Sequence, residues 1–281
     1  MTRILGLGDN TIDTYVDAGV QYPGGNAVNV AAMAARLGAS TAYLGCVGDD
    51  EGGQLVRMAL VAEGVDISRT RTRPGANARA FIGHIAGDRH FIRSDPGVRA
   101  DYCWEDDDFA YIATFDHVHT SIHSDLGEAL PRIAASARSL SFDASDRWTA
   151  DYLRQVVPYL QFIFLSAPKL SEQEAMATAE ECLALGSKAV VLTRGSGGAL
   201  GVSATGLVFQ AALPATVVDT LGAGDGFISG FLTAMLAGGS LKDAMTRGAE
   251  FAAQVCGWQG GFGHAVPWTG DPIAERVAAS R

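Results

Sequence analysis

Cysteine is scarce and scattered in this chain. Cys46, Cys103, Cys182 and Cys256 form no C-x-x-C pair, so neither a zinc ribbon nor a disulfide framework is expected, and reduced thiols in a cytoplasmic setting are the default. Long apolar runs are missing as well. The apolar start after Met1 stops at Asp9, too short for a signal peptide, and nothing approaches the ~20 apolar residues that span a membrane. Positive charge is in deficit: 21 Lys and Arg face 31 Asp and Glu, for a formal charge of −10. Without a basic stripe, nucleic acid is excluded as an expected partner, because its phosphates would be repelled. A few placed positive groups still allow a small anionic substrate. No Gly-Lys dipeptide occurs anywhere, which rules out a typical Walker A phosphate loop.

What is present is an ordinary globular composition, 48% hydrophobic and 19% charged over 281 residues. That is enough for one α/β domain with a small appendage, or for two modest domains. Arg3 to Leu7 reads as a strand, followed by a polar loop through Asp9 and Asp13. From Gly25 to Leu37, the residues Ala27, Val28, Val30, Ala31, Ala34 and Leu37 form a broad apolar face that stops at Gly38, the pattern of a helix. A buried strand (Thr41 to Val47) and a helix (Gly53 to Glu63) continue a βαβα rhythm, which predicts a parallel sheet covered on both faces.

Arg69 to Phe91 breaks that rhythm. Its partial alternation, with turns at Pro74-Gly75 and Gly87-Asp88, predicts antiparallel hairpins, and Tyr15 to Gln21 has the same character. Such an insertion suits a lid over the loop face of the sheet, a structural flap or a dimer contact. Strands are expected again at Asp116–Thr120, Leu140–Phe142, Phe162–Leu165 and Lys188–Leu192, then a hairpin around Thr205-Gly206. Helices over Gly224–Leu236 and Leu241–Cys256 close the body.

The most informative stretch is Val217-Val218-Asp219-Thr220-Leu221-Gly222-Ala223-Gly224-Asp225-Gly226-Phe227. An apolar strand is expected to run into a turn of small residues that opens an apolar helix. The backbone N–H groups of Gly222, Ala223 and Gly224, with the positive end of that helix, make a site for the charge that builds on a phosphoryl group in transfer. Asp225 stands at its mouth, either as the base that accepts a hydroxyl proton or as an ordinary helix cap. Asn26 likewise reads as an N-cap or as a ligand for sugar hydroxyls, and Asp9 as a loop residue or a hydroxyl acceptor.

Two stretches in order then decide between these alternatives. Asp219 to Phe227 resembles the C-terminal signature of the ribokinase-like (PfkB) carbohydrate kinases, and Gly24-Gly25-Asn26-Ala27-Val28-Asn29-Val30-Ala31 resembles their N-terminal one. Val47-Gly48-Asp49-Asp50 with Gly52, and Gly64-Val65-Asp66, extend the likeness over essentially the full length. The resemblance implies a single α/β domain over residues 1–281. It would be a three-layer αβα body with a mostly parallel sheet and a small β-sheet lid from about 13–21 and 69–93. It implies ATP, Mg²⁺ and, in many members, K⁺, a homodimer through the lid, and a sugar as substrate. Asp225 would be the catalytic base and Gly222, Ala223 and Gly224 the anion hole. Asp9, Asp13, Gly24, Gly25, Asn26 and Asn29 would hold the substrate. Independently of the resemblance, Arg89 and Arg93, in or after the lid segment, read as residues that meet a carboxylate or phosphate or as surface residues. Thr193, Gly195, Gly198 and Thr220, with Gly222 and Gly224, would receive ATP, and Asp219 would lie beside a monovalent cation.

One departure is informative. Ser166-Ala167-Pro168-Lys169 stands where many relatives carry the Asn-x-x-Glu that acts on Mg²⁺ through water, so Asp143 or Asp146 becomes the candidate for that ion. Together with Gly8-Asp9-Asn10-Thr11-Ile12-Asp13 and Asp143-Ala144-Ser145-Asp146-Arg147-Trp148, this segment is similar to the fructosamine-kinase (fructoselysine 6-kinase) branch, which phosphorylates the 6-hydroxyl of a sugar joined to an amino-acid nitrogen. Fructose, ribose, 2-keto-3-deoxygluconate or a nucleoside are the alternative substrates, and a non-catalytic binding protein is the rival of another class. The histidines His117, His119 and His123 read as packed strand residues or as a metal cluster lacking a fourth ligand.

Overall fold

The computed structural model describes residues 2–85 and 88–271. Along the chain, β1 (Arg3–Gly8) leads into the hairpin of β2 (Thr11–Tyr15) and β3 (Val20–Gly24), then α1 (Asn26–Arg36), β4 (Ser40–Gly48) and α2 (Glu51–Ala62). β5 (Arg71–Arg73), β6 (Arg79–Ile85) and β7 (Asp88–Asp95) follow, then α3 (Asp106–Ile112), β8 (His117–Ser121), α4 (Leu130–Ser136), β9 (Leu140–Asp143), α5 (Ala150–Val156) and β10 (Phe162–Ser166). The second half adds α6 (Glu172–Ala184), β11 (Ala189–Thr193), β12 (Ala199–Ser203), β13 (Gly206–Gln210), α7 (Ala223–Leu236), α8 (Leu241–Val255) and the short β14 (Val266–Pro267).

The large sheet has the order β13-β12-β11-β10-β9-β8-β1-β4-β5. It is parallel from β11 to β5, with the β12–β13 hairpin antiparallel at one edge. Strand alternation feeds two separate cores. Leu5 and Leu7 of β1, with Val190 and Leu192 of β11, pack under α3 to α6, whereas Ala189 and Val191 face α7 and α8. Gly6, between the two leucines, lets α1 lie on the sheet: a Cβ there would fall 2.3 Å from the Ala27 carbonyl oxygen. The predicted three-layer α/β body is therefore present, with α1, α2, α7 and α8 on one face.

The smaller sheet has the order β14-β3-β2-β6-β7 and is mostly antiparallel. It differs from the expected lid in three ways. Arg71–Arg73, assigned to the lid by sequence, instead pairs in parallel with Cys46–Gly48 of β4 at the edge of the large sheet. Asp13 lies within β2 rather than in a loop, and the Tyr15–Gln21 segment is mainly the turn between β2 and β3. Val266–Pro267 joins from the tail. The expected turn at Gly87 lies outside the described residues, as does the side chain of Arg89.

The Gly48-Asp49-Asp50 segment fastens the lid to the body. Asp50 caps α2 by accepting from the Gly53 amide at 2.9 Å, and it also accepts from the Asn77 amide at 3.1 Å. Asp49 accepts from the Gly75 amide at 2.8 Å, and the Gly48 amide donates to the Asn77 side-chain oxygen at 3.1 Å.

Candidate active site

A parallel sheet collects its functional loops at the carboxyl ends of its strands, and β1, β8 and β9 converge there beneath the first turns of α1 and α7. Asp9 follows β1 and is 1% exposed. Its carboxylate accepts from the Asn26 amide at 2.6 Å and the Ala27 amide at 3.3 Å, and from the hydroxyls of Ser121 and Ser124 at 2.8 and 3.0 Å. Asp9 thus supplies from a neighbouring strand the anion that the start of α1 needs.

The Gly24-Gly25 pair is explained by close approach. A Cβ on Gly24 would fall 2.0 Å from an Asp13 carboxylate oxygen. Gly25 has φ 104, and a Cβ there would come within 2.6 Å of the Asn10 Cα. This tight entry aims the Asn26 and Asn29 side chains, one helical turn apart, at the start of α7.

There they meet Asp225. Asn26 Nδ2 donates to Asp225 Oδ1 at 2.7 Å, and Asn29 Nδ2 donates to Asp225 Oδ2 at 2.6 Å. Asn26 Nδ2 also donates to Asp143 Oδ2 at 3.0 Å, across from the end of β9. Burial pushes the Asp225 carboxyl up to about 6, against the downward pull of the two asparagines. Burial, then the charge on Asp225, pushes Asp143 up to about 7. Such values are those of groups that exchange protons near neutrality.

Gly222 precedes α7 with φ 78, a left-handed conformation that favours glycine, and offers no side-chain cap. A Cβ on Gly222 would lie 2.8 Å from the Gly261 Cα, while one on Gly224 would meet open space. The first-turn amides of α7 have no intrahelical partner; that of Ala223 bonds back to the Thr220 carbonyl at 3.3 Å, and those that follow share the first turn with Asp225. The expected strand at Val217-Val218 is not formed. Both valines are exposed loop residues, and the Val218 and Asp219 amides are held by the Cys256 carbonyl.

The remaining candidates spread around this centre. Asp219, the candidate beside a monovalent cation, accepts from the Leu221 amide at 2.9 Å, the Gly260 amide at 3.2 Å and the Tyr15 hydroxyl, tying the loop to β2. Thr220 is exposed beside it, its carbonyl accepting from the Ala223 amide at 3.3 Å. Thr193 ends β11, Gly195 opens a single turn with φ 57, and Gly198 has φ 85. Arg93 lies in the small sheet with its guanidinium 3.9 Å from the centre of the Phe81 ring. Among the described residues no three His, Cys, Asp or Glu side chains converge to hold a metal. The His117–His119 pair is engaged otherwise: His119 Nε2 lies 2.9 Å from Asn26 Oδ1, a contact that the sequence pattern did not announce.

The chain matches the family described as pfkB family carbohydrate kinase over residues 5–265. It is 38% identical to the fructosamine kinase FrlD of Bacillus subtilis over 95% of both chains. It is 35% identical to the fructoselysine 6-kinase of Escherichia coli, covering 93% of this chain and all of that one. Among solved structures, the ribokinase of Arabidopsis thaliana complexed with ribose and ATP superposes with a TM-score of 0.82 at 20% identity, over 98% of each chain. The family match begins within β1 and ends just before β14. The chain belongs to the pfkB family of carbohydrate kinases and is an ATP-dependent sugar kinase.

Proposed function

We propose that this kinase transfers the γ-phosphoryl group of ATP to the 6-hydroxyl of a fructosamine such as fructoselysine, with Asp225 as the base. The observation that carries the mechanism is the Asp225 carboxylate, held by Asn26 and Asn29 at the uncapped start of α7. The substrate class rests on the 35–38% identity to fructosamine kinase FrlD and fructoselysine 6-kinase over nearly the whole chain.

In this reading the hydroxyl oxygen attacks the γ-phosphorus in line, the bond to the bridging oxygen of ADP breaks, and the hydroxyl proton passes to an Asp225 oxygen. A base near pH 6 is ionised at neutrality yet still able to hold the proton it receives. The amides of Gly222, Ala223 and Gly224 neutralise charge growing on the transferred group. Asp9, Asp13, Gly24, Gly25, Asn26 and Asn29 would surround the sugar, and Arg93 would meet the carboxylate of its amino-acid part. Thr193, Gly195, Gly198 and Thr220 would line the nucleotide.

The residues fit Mg²⁺ on one observation. Asp143 is a partly buried carboxylate, raised to about 7, whose described partners are neutral donors, the Ser145 amide and the Asn26 side chain. Mg²⁺ keeps phosphate oxygens and waters as most of its ligands, so one such carboxylate, directly or through water, suffices; bound there, the ion would withdraw charge from the phosphates. K⁺ beside Asp219, a cytoplasmic setting and a homodimer through the lid belong to the same proposal. The edge position of β7 and the 61% exposure of Phe91 on it support the dimer, and sedimentation at monomeric mass would remove it.

The test is ADP release with Mg-ATP and K⁺ across fructoselysine, other fructosamines, fructose, ribose, 2-keto-3-deoxygluconate and adenosine. A fructosamine is expected to give the highest kcat/KM by tenfold or more. Preference for another sugar would keep the role of Asp225 and discard the substrate.

A further inference from the structure

Beneath the site runs a buried line of side chains that the phosphoryl-transfer chemistry does not use. His117 and His119 lie two apart on β8 and share its α1-facing side, with Ser141 paired to His119 across the parallel β8–β9 ladder. His119 Nε2 lies 2.9 Å from Asn26 Oδ1, and His119 Nδ1 lies 2.7 Å from Ser141 Oγ. Ser141 Oγ is also 2.7 Å from His117 Nε2, and His117 Nδ1 is 2.8 Å from Ser139 Oγ. His117, His119 and Ser141 are fully buried, and Ser139 is partly exposed.

The order of protons along this line follows from its ends. Asn26 has two N–H donors, and both are engaged, one by Asp225 and one by Asp143. Its Oδ1 must therefore accept, so His119 carries its hydrogen on Nε2. His119 Nδ1 then accepts from the Ser141 hydroxyl. With its single hydrogen used, Ser141 Oγ accepts from His117 Nε2–H, and His117 Nδ1 accepts from the Ser139 hydroxyl, whose oxygen reaches water. Burial keeps both imidazoles neutral, holding His117 down at about 3 and His119 well below its usual value. Neutral rings are what the line requires, since a charged ring would donate at both nitrogens and leave Ser141 or Ser139 wrongly faced.

The reverse order is also internally satisfied, but it turns the Asn26 carbonyl toward the two carboxylates. Passing from one order to the other needs two tautomer changes, two hydroxyl rotations and an amide flip together. A lone asparagine beside two carboxylates can flip with little coordination; this one is geared to four other groups.

We propose that His119 is a positioning residue that locks the Asn26 amide with its NH₂ toward Asp225 and Asp143, and that Ser141, His117 and Ser139 fix the His119 tautomer. The catalytic consequence rests on the assignment of Asp225 as the base; the tautomer order does not. With the amide held, Asp225 keeps one oxygen supplied by Asn26 while presenting its carboxylate to the substrate hydroxyl, and no thermal flip replaces a donor by a repelling carbonyl.

Two measurements test this. In the wild-type chain with ¹⁵N-labelled histidine, NMR between pH 6 and 9 is expected to show His119 and His117 neutral and protonated on Nε2. Hydrogen on Nδ1 of His119 overturns the proposal, and this arm needs no turnover, so it stands apart from any failure of the substrate assignment. The second arm compares His119→Gln, whose Nε2 can donate to Asn26 while its Oε1 accepts from Ser141, with His119→Leu, which can do neither. His119→Gln is expected to keep kcat within about threefold of wild type, and His119→Leu to lower kcat roughly tenfold or more, with KM for ATP unchanged. Equal kcat in the two variants, high or low, overturns the positioning role.

Discussion

Asp225→Asn separates catalysis from stability in a way the geometry makes quantitative. The substitution replaces one carboxylate oxygen by NH₂ and removes a charge. Both oxygens of Asp225 accept, from Asn26 at 2.7 Å and from Asn29 at 2.6 Å, so the new NH₂ must face a donor. Asn29 resolves the conflict by an amide flip, because its Oδ1 is buried without a hydrogen-bond partner and accepts in the turned position. The fold is therefore expected to survive. Stability is expected to rise at high pH. Burial lifts this carboxyl from 3.8 to about 6, so the ionised form opposes folding above that pH, and the penalty vanishes below about pH 4. Two pH units at 1.36 kcal/mol each is roughly 3 kcal/mol. Desolvating the replacing amide offsets about half, leaving ~1–2 kcal/mol and a Tm higher by about 2–3 °C at pH 8, shrinking toward zero at pH 4. Turnover is expected to fall by roughly 10²–10⁴ with the loss of the base, while ATP still raises Tm. ADP release and thermal melts at the two pH values decide it. Activity within tenfold of wild type would refute the base, and a lower Tm than wild type at pH 8 would refute the electrostatic account.

The same carboxyl sets the pH profile. Because Asp225 must be ionised to accept a proton, kcat is expected to fall about tenfold per pH unit on the acid side of about 6; since Asp143 titrates nearby at about 7, the apparent value belongs to the pair, and a flat profile from pH 5 to 8 would contradict it. Gly222→Ala is expected to lower stability by ~1–3 kcal/mol and to cut kcat, since φ 78 disfavours a side chain and its Cβ would lie 2.8 Å from the Gly261 Cα; a melt and an ADP assay at wild-type values would remove the strain argument.

The parts legible in the sequence are those where local pattern and chemistry agree. Short apolar runs marked β1, β4 and β11 because each strand is buried on both faces, and the small residues before Asp225 marked a turn that admits no side chain at Gly222. The parts not legible depend on strand order. His119 and Asn26 are 93 residues apart, and they meet only because β8 lies beside β1 under α1; on its own strand, a histidine flanked by Val118 and Thr120 reads as packing. Arg71–Arg73 reads with the lid because it precedes the lid, yet three residues suffice to pair with β4 at the edge of the body. Val217-Val218 has the composition of a strand, but the chain there runs along the surface and bonds back to Cys256. Apolar content predicted burial, and a connecting loop that runs over the surface does not obey that rule.

In the proposed mechanism, the two helix starts at the centre of the site would bring phosphate and hydroxyl in from different sides. Both α1 and α7 present unsatisfied amides and the positive end of a dipole. At α1 those amides are consumed: Asp9, buried at 1% exposure, accepts from Asn26 and Ala27 and is itself held by Ser121 and Ser124. An incoming anion gains nothing there and meets a negative charge. At α7 the preceding residue is a glycine with no side chain to cap the turn, and although the Ala223 amide bonds back to the Thr220 carbonyl at 3.3 Å, the next amides of the turn stay available. What α1 offers instead is the side-chain amides of Asn26 and Asn29, which hold the Asp225 carboxylate. The carboxylate of Asp225 sits on the boundary, bonded to the α1 asparagines while belonging to the first turn of α7. In the proposed mechanism a base at that boundary would take the hydroxyl proton while the neighbouring α7 amides meet the phosphoryl group, leaving the opposite face of phosphorus to the departing ADP, as an in-line transfer needs.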